Sequence, residues 1–187
     1  MKAYLLLCKG FEEVEAIATA DVLKRADIDV VLVSPYGGKA VEGSHGITVI
    51  VDECFENADV YNAPKFGDAD AVILPGGQPG TKNLLASKAV ADMIRDYDTR
   101  RKVVAAICAA PTVLGAAGLL ADKKCTCFPG CESGLGGGEA TGAAAVIDGN
   151  IVTGKSMGCA LPFGVAIVSM LLGDEEAERV KNSLHIG

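Results

Sequence analysis

The run Val103-Val104-Ala105-Ala106-Ile107 constrains the fold more than any other segment of the chain. Five small or β-branched apolar residues in succession leave no polar face, so a strand built from them is covered on both sides. Double coverage is the mark of a parallel sheet with helices on each face. The run meets Cys108 and passes at once into Ala109-Ala110-Pro111-Thr112 and an apolar, helix-like stretch. A strand that turns straight into a helix lifts its turn residue out of the sheet and aims it at a cleft, the geometry of a nucleophile elbow. The helix start after Cys108 brings unpaired N–H groups near the sulfur and is expected to favour thiolate over thiol. A structural cysteine packed into the core is the alternative for such a segment.

The rest of the chain repeats the alternation. Strand-like runs occupy Tyr4 to Cys8, Val30 to Ser34, Ala71 to Leu74 and Val103 to Ile107. Between them, Val14, Ile17, Ala18 and Val22 fall at helix-face spacing, as do Val90, Met93, Ile94 and Tyr97, with Ser87 as N-cap of the second helix. Phe163, Ala166, Ile167, Met170 and Leu171 form a further stripe, stopped by Gly173. The pattern predicts one domain over residues 1–187, an α/β sandwich of three layers with a mostly parallel sheet. Ile47 to Val51 reads as a short strand outside the main rhythm. Ala143 to Ile147 and Ile151 to Thr153 flank Asp148-Gly149-Asn150, a hairpin signal. The glycine run from Gly134 to Gly142 has neither Gly-Lys-Ser/Thr nor a complete G-x-G-x-x-G, because Glu139 takes the last glycine's place; it is expected to be a flexible surface loop and not a phosphate cradle.

Composition narrows the function classes. The chain has 187 residues, is half apolar, lacks Trp and carries a net charge of −7. Its lysines and arginines are scattered, which argues against a nucleic-acid partner. No segment has the length and apolarity of a membrane span, and the apolar start of the chain reads as a strand, not a signal peptide. Seven cysteines without a disulfide-like pattern predict free thiols in a reducing cytoplasm.

In an open parallel sheet the site lies outside the carboxyl ends of the strands. Three loops qualify: Lys9 to Glu15, Pro75-Gly76-Gly77-Gln78-Pro79-Gly80, and the turn at Cys108. The Pro-Gly-Gly turn lets backbone approach a ligand, with the Gly76 and Gly77 amides as oxyanion donors. Glu12, Glu13 and Glu15 open a helix, where carboxylates suit the dipole. Glu15 lies close to the side set by Val14, Ala18 and Val22, so it is expected to face inward toward Cys108. A carboxyl buried beside the sulfur would stay protonated and donate to it.

Three motifs together, Gly10-Phe11-Glu12-Glu13-Val14-Glu15, Val72-Ile73-Leu74-Pro75-Gly76-Gly77 and Ala105-Ala106-Ile107-Cys108-Ala109-Ala110-Pro111, resemble the DJ-1/PfpI superfamily, its DJ-1/YajL/ThiJ branch most. The likeness runs in order through nearly the whole chain, including Asp21 to Ala26 and Gly154 to Leu172. It implies a flavodoxin-like sandwich, a homodimer, and a strained reactive cysteine, Cys108, bonded to a protonated Glu15. The amides of Gly77 and Ala109 would form an anion pocket. Arg25, in the matching Asp21–Ala26 segment, and His45 are further pocket candidates; His185 reads as a tail residue. Two departures bear on chemistry. Ala109 replaces the histidine that superfamily proteases carry after the cysteine, and Phe128 replaces a histidine that some members place before a proline.

The resemblance implies glutathione-independent glyoxalase or deglycase chemistry on methylglyoxal, glyoxal or glycated substrates, without a cofactor. The competing reading is a redox sensor or redox-regulated chaperone acting through oxidation of Cys108; a thiamine-biosynthesis or protease role ranks below both. Cys125, Cys127 and Cys131 form a C-x-C-x₃-C cluster that lacks a fourth ligand for a structural metal, and read instead as a secondary redox group with exposed thiols. Cys8 and Cys159 are expected in the core and Cys54 on an edge strand.

Overall fold

The computed structural model describes residues 1–186. In chain order the elements are β1 (Lys2–Leu6), α1 (Glu13–Arg25), β2 (Asp29–Ser34), β3 (Ala40–Glu42), β4 (Thr48–Ile50), β5 (Glu53–Cys54), α2 (Ala63–Phe66), β6 (Ala71–Leu74), α3 (Gly80–Ala86), α4 (Lys88–Thr99), β7 (Val103–Ile107), α5 (Pro111–Ala116), β8 (Lys124–Cys125), β9 (Glu139–Ala140), β10 (Ala145–Asp148), β11 (Ile151–Gly154), α6 (Ala160–Leu172) and α7 (Asp174–Ser183). Seven strands form the main sheet in the order β10-β11-β7-β6-β1-β2-β5. Its pairings are parallel except β10 with β11, the hairpin that Asp148-Gly149-Asn150 turns, with Gly149 at φ 64°. The Ile47–Val51 run supplies β4, paired with β3 in a separate antiparallel sheet.

The two-residue period of the strands sorts their side chains between two cores. Ala3, Leu5, Ile73, Ala105 and Ile107 face a layer made by α1, α6 and α7. Tyr4, Leu6, Val72, Leu74, Val104 and Ala106 face α3, α4 and α5. On α4, Val90, Met93, Ile94 and Tyr97 are buried, and the Ser87 hydroxyl accepts the Val90 N–H at 3.2 Å. α6 ends at Gly173, whose φ of 91° an L side chain would resist. The arrangement is the mixed α/β sandwich that the alternation predicted.

Several expectations are corrected. On α1, Val14 and Ile17 lie at the surface, 47% and 45% exposed, while Glu15, Ala16, Thr19, Val22 and Leu23 fill the core. The helix therefore has an apolar stripe beside its buried one. The glycine run is not a loose loop. Gly134 and Gly136 press on the backbone of Gly115 in α5, Leu135 is buried in the second core, and Glu139–Ala140 pairs with β8. Of the thiols expected at the surface, Cys125 and Cys127 are buried and Cys131 is half-buried. Cys8 is in the core and Cys54 sits on the edge strand, as expected, but Cys159 is half-buried at the start of α6.

Candidate active site

β1 lies between β2 and β6: the chain leaves β1 to one side and later returns to its other side. The carboxyl ends of β1 and β6 therefore flank a topological switch point, where open α/β sheets bind ligands. Backbone bonds lock the loops there. Glu12 donates its N–H to the Gly76 carbonyl at 2.9 Å, and Gly80 donates to the Gly10 carbonyl at 3.1 Å.

Cys108 follows β7 next door, with φ at 65°. A non-glycine residue persists in this left-handed region only where its surroundings enforce it. Here the Cys108 N–H donates to the Gly154 carbonyl at 2.9 Å, and the Cys108 carbonyl accepts the Phe128 N–H at 2.7 Å. Both peptide groups are fixed, and the half-exposed side chain leaves the sheet as the elbow requires.

Glu15, in the first turn of α1, is completely buried. Its amide is capped by Glu12 Oε2 at 2.7 Å, and its own Oε2 accepts the Gly76 N–H at 2.8 Å. Oε1 makes no hydrogen bond among the described residues, and the Cys108 thiol is the neighbouring side chain that acts on the carboxyl. Gly76 is wedged between the two: a Cβ there would stand 2.7 Å from Cys108 Cβ and 2.9 Å from Glu15 Oε2. Only glycine permits this approach.

Burial pushes the Glu15 carboxyl up to about 7, against the pull of the neighbouring Cys108 thiol and of the Gly76 N–H bond. Burial and the adjacent Glu15 carboxylate push the Cys108 thiol up to about 12, while the Ala109 and Gly77 amides pull it down. The charge contribution vanishes when Glu15 holds the proton. In the resting site the Cys108 thiol therefore keeps its proton across the neutral range, while the Glu15 carboxyl gains or loses its own there. This corrects the expectation that the helix start would favour thiolate: burial outweighs it and the thiol is pushed up. α5 is only six residues long, and the Ala109 and Gly77 amides offset only part of the burial.

The structure brings Glu15, Gly76, Gly77, Cys108 and Ala109 together at one end of the sheet. Arg25 does not join them. It pairs with Asp21 at 2.7 Å on the exposed far end of α1, ten residues or about 15 Å along the helix from Glu15. His45 has an exposed ring whose Nδ1 lies 2.9 Å from Glu13 Oε2. Glu13 is itself buried and also accepts the His45 N–H and the Ser44 hydroxyl. Burial alone would raise its pKa; the bonds from His45 and Ser44 outweigh it and hold Glu13 at about 2. The roles of Phe128 and Gly154 as backbone anchors of Cys108 escaped the sequence, because they act through peptide groups that any residue carries.

The family model of the DJ-1/PfpI family matches residues 1–170. The Parkinson disease protein 7 homolog of Danio rerio is 35% identical over 186 residues, covering 98% of this chain and 96% of the relative. Deglycase PH1704 of Pyrococcus horikoshii is 36% identical over 157 residues, 83% of this chain and 90% of the relative. Among solved structures, a cysteine-to-alanine variant of the DJ-1 superfamily protein STM1931 from Salmonella typhimurium superposes with a TM-score of 0.89 at 33% identity, covering 100% of this chain and 98% of that one. Drosophila melanogaster DJ-1beta superposes with a TM-score of 0.88, also at 33% identity, over the same shares. Matched along almost its entire length in sequence and in fold, the chain belongs to the DJ-1/PfpI family.

Proposed function

We propose that the protein is a cysteine-dependent enzyme that converts small dicarbonyls to hydroxy acids without glutathione. The observation that carries this reading is the apposition of Cys108 and Glu15 across Gly76, a nucleophile beside a buried carboxyl that exchanges its proton near neutrality. The thiol proton passes to Glu15 as the sulfur bonds to the aldehyde carbon of methylglyoxal or glyoxal. The alkoxide faces the Gly77 and Ala109 amides and is protonated to a hemithioacetal. Glu15, again a carboxylate, removes the proton from that carbon to give an enediolate and returns it to the neighbouring carbon, leaving a thioester. Water cleaves the thioester, releases lactate or glycolate and restores the thiol. The deglycase name of the archaeal relative points to carbonyl chemistry of the same kind and supports the reading. With Phe128 where some members have histidine, and the His45 ring tied to Glu13, Glu15 carries the proton traffic alone and turnover is slow.

The reading includes a homodimer. Val14 and Ile17 of α1 line an open groove of about 550 Å³ with Ala18 and Ile47, and Ile50 is exposed on β4. A second copy covers this apolar face. A reducing compartment such as the cytoplasm keeps the seven thiols free.

The test is lactate formation from methylglyoxal in the absence of glutathione. Cys108→Ser and Glu15→Gln should each lose about a hundredfold or more, while Glu15→Gln still alkylates at Cys108. A wild-type rate no higher than that of Cys108→Ser would falsify the proposal. The unpartnered Glu15 Oε1 favours a second reading, oxidation sensing: once protonated, it can donate to a Cys108 sulfinate alongside the Gly77 and Ala109 amides. Peroxide treatment that adds two oxygens at Cys108 alone, in a protein without dicarbonyl turnover, would select it.

A further inference from the structure

The Cys108 chemistry leaves three clustered thiols unused. Cys125, Cys127 and Cys131 pack into one hydrophobic cluster with α4 and α5. Cys125 is committed: its Sγ donates to the Glu139 carbonyl at 3.6 Å. The Cys127 and Cys131 sulfurs make no hydrogen bond among the described residues, Cys127 being buried and Cys131 half-exposed.

Cys127 precedes and Cys131 closes a tight turn, Phe128-Pro129-Gly130-Cys131. The Cys131 N–H donates to the Phe128 carbonyl at 3.0 Å, and Gly130 has φ 95°. Proline followed by a left-handed glycine is the signature of a type II turn, whose ends lie within about 7 Å. Cys127 stands one residue before that turn, and a disulfide spans roughly 4.4–6.8 Å between Cα atoms. The turn folds the chain back on itself, and the two thiols are near enough for Cys131 to act electrostatically on Cys127. The turn also has a second attachment: the Phe128 N–H that opens it holds the Cys108 carbonyl at 2.7 Å.

We propose that Cys127 and Cys131 form a reversible disulfide across this turn, and that its closure changes the reactivity of Cys108 through the Phe128 peptide. The second half rests on Cys108 being the reactive centre. A hydroperoxide oxidises the more accessible Cys131 to a sulfenic acid and is itself reduced to water or an alcohol. The Cys127 sulfur then attacks the Cys131 sulfur, forming the S–S bond and releasing water, and an external thiol reverses the step. Burial and the nearby Glu132 carboxylate keep both thiols protonated, so the pair oxidises more slowly than an activated thiol.

The experiment uses the full chain treated with hydrogen peroxide. Remaining thiols are then alkylated and the peptide carrying the three cysteines is sequenced by mass spectrometry. The expected product lacks two hydrogens, links Cys127 to Cys131, leaves Cys125 alkylated and reverts with dithiothreitol; Cys131→Ser abolishes it. Iodoacetamide capture of the Cys108 still present as thiol should differ at least twofold between the linked and reduced forms, with no such difference in Cys131→Ser. Three fully alkylated cysteines after prolonged oxidation, a link to Cys125, or a link between chains overturns the disulfide. A linked pair with unchanged Cys108 capture overturns the coupling. Capture of Cys108 is read without any dicarbonyl, so these outcomes are separate from the fate of the proposed enzyme activity.

Discussion

Glu13 and Glu15 stand two residues apart on α1, both buried, and titrate in opposite directions. Glu15 meets one backbone amide and a thiol, too little to offset its desolvation, so its pKa rises from 4.5 to about 7. Glu13 accepts a dense set of bonds from Ser44 and His45 and falls to about 2. The signs of the stability effects follow. Between 4.5 and 7 the native chain holds a proton on Glu15 that the unfolded chain has released, so stability falls as pH rises through that window, by roughly 3 kcal/mol if fully expressed. Glu13 contributes stability above 4.5 that is lost as pH falls toward 2. Urea midpoints measured from about pH 4.5 to pH 8 should show Glu15→Gln gaining on wild type steadily as pH rises. Parallel curves for the two proteins would mean that Glu15 is not held protonated in the native state.

At the scale of elements, the contact between α5 and the glycine run is the tightest test of packing. A Cβ on Gly115 would lie within van der Waals overlap of the Gly134 carbonyl and 2.7 Å from the Leu135 backbone. Gly115→Ala should therefore destabilise the protein by about 1–3 kcal/mol, although alanine is the better helix former. Gly158→Ala, where a Cβ meets nothing within 4 Å, is the control and should move the urea midpoint little. This contact also shows where sequence reading stops. β6 and β7 were legible to the residue because their apolar runs end at Pro75 and Cys108, and α4 was legible from its stripe and the Ser87 cap. The glycine run was not, because hydrophobic periodicity carries no signal for backbone pressed on backbone. Nor was the orientation of α1, since a stripe such as Val14 and Ile17 reports an apolar face without saying what covers it. Cys108, Glu15 and the Pro-Gly-Gly turn were legible because their chemistry is borne by residue type. Arg25 was misplaced because a shared motif segment does not fix distance from the site.

For the whole molecule, the exposed stripe becomes a prediction about assembly. Ile17→Asp places a charge in the centre of the face assigned to the second copy, and sedimentation should shift from dimer to monomer while the far-ultraviolet spectrum of the fold is retained. A wild-type protein that sediments as a monomer would remove the dimer from the proposed function. The backbone anchors of Cys108 have a different consequence, one that concerns biosynthesis. The left-handed elbow depends on Phe128 and on Gly154, and its acid partner lies near the opposite end of the chain, in α1. These contacts are long in sequence, and parallel pairing of β7 with β11 cannot form until residue 154 has been made. A chain still emerging from the ribosome, or one whose C-terminal strands have opened, therefore carries Cys108 as a relaxed thiol with an ordinary pKa near 8.5. Any chemistry proposed for Cys108 therefore waits on the C-terminal strands, and the elbow is among the last parts of the site that synthesis completes.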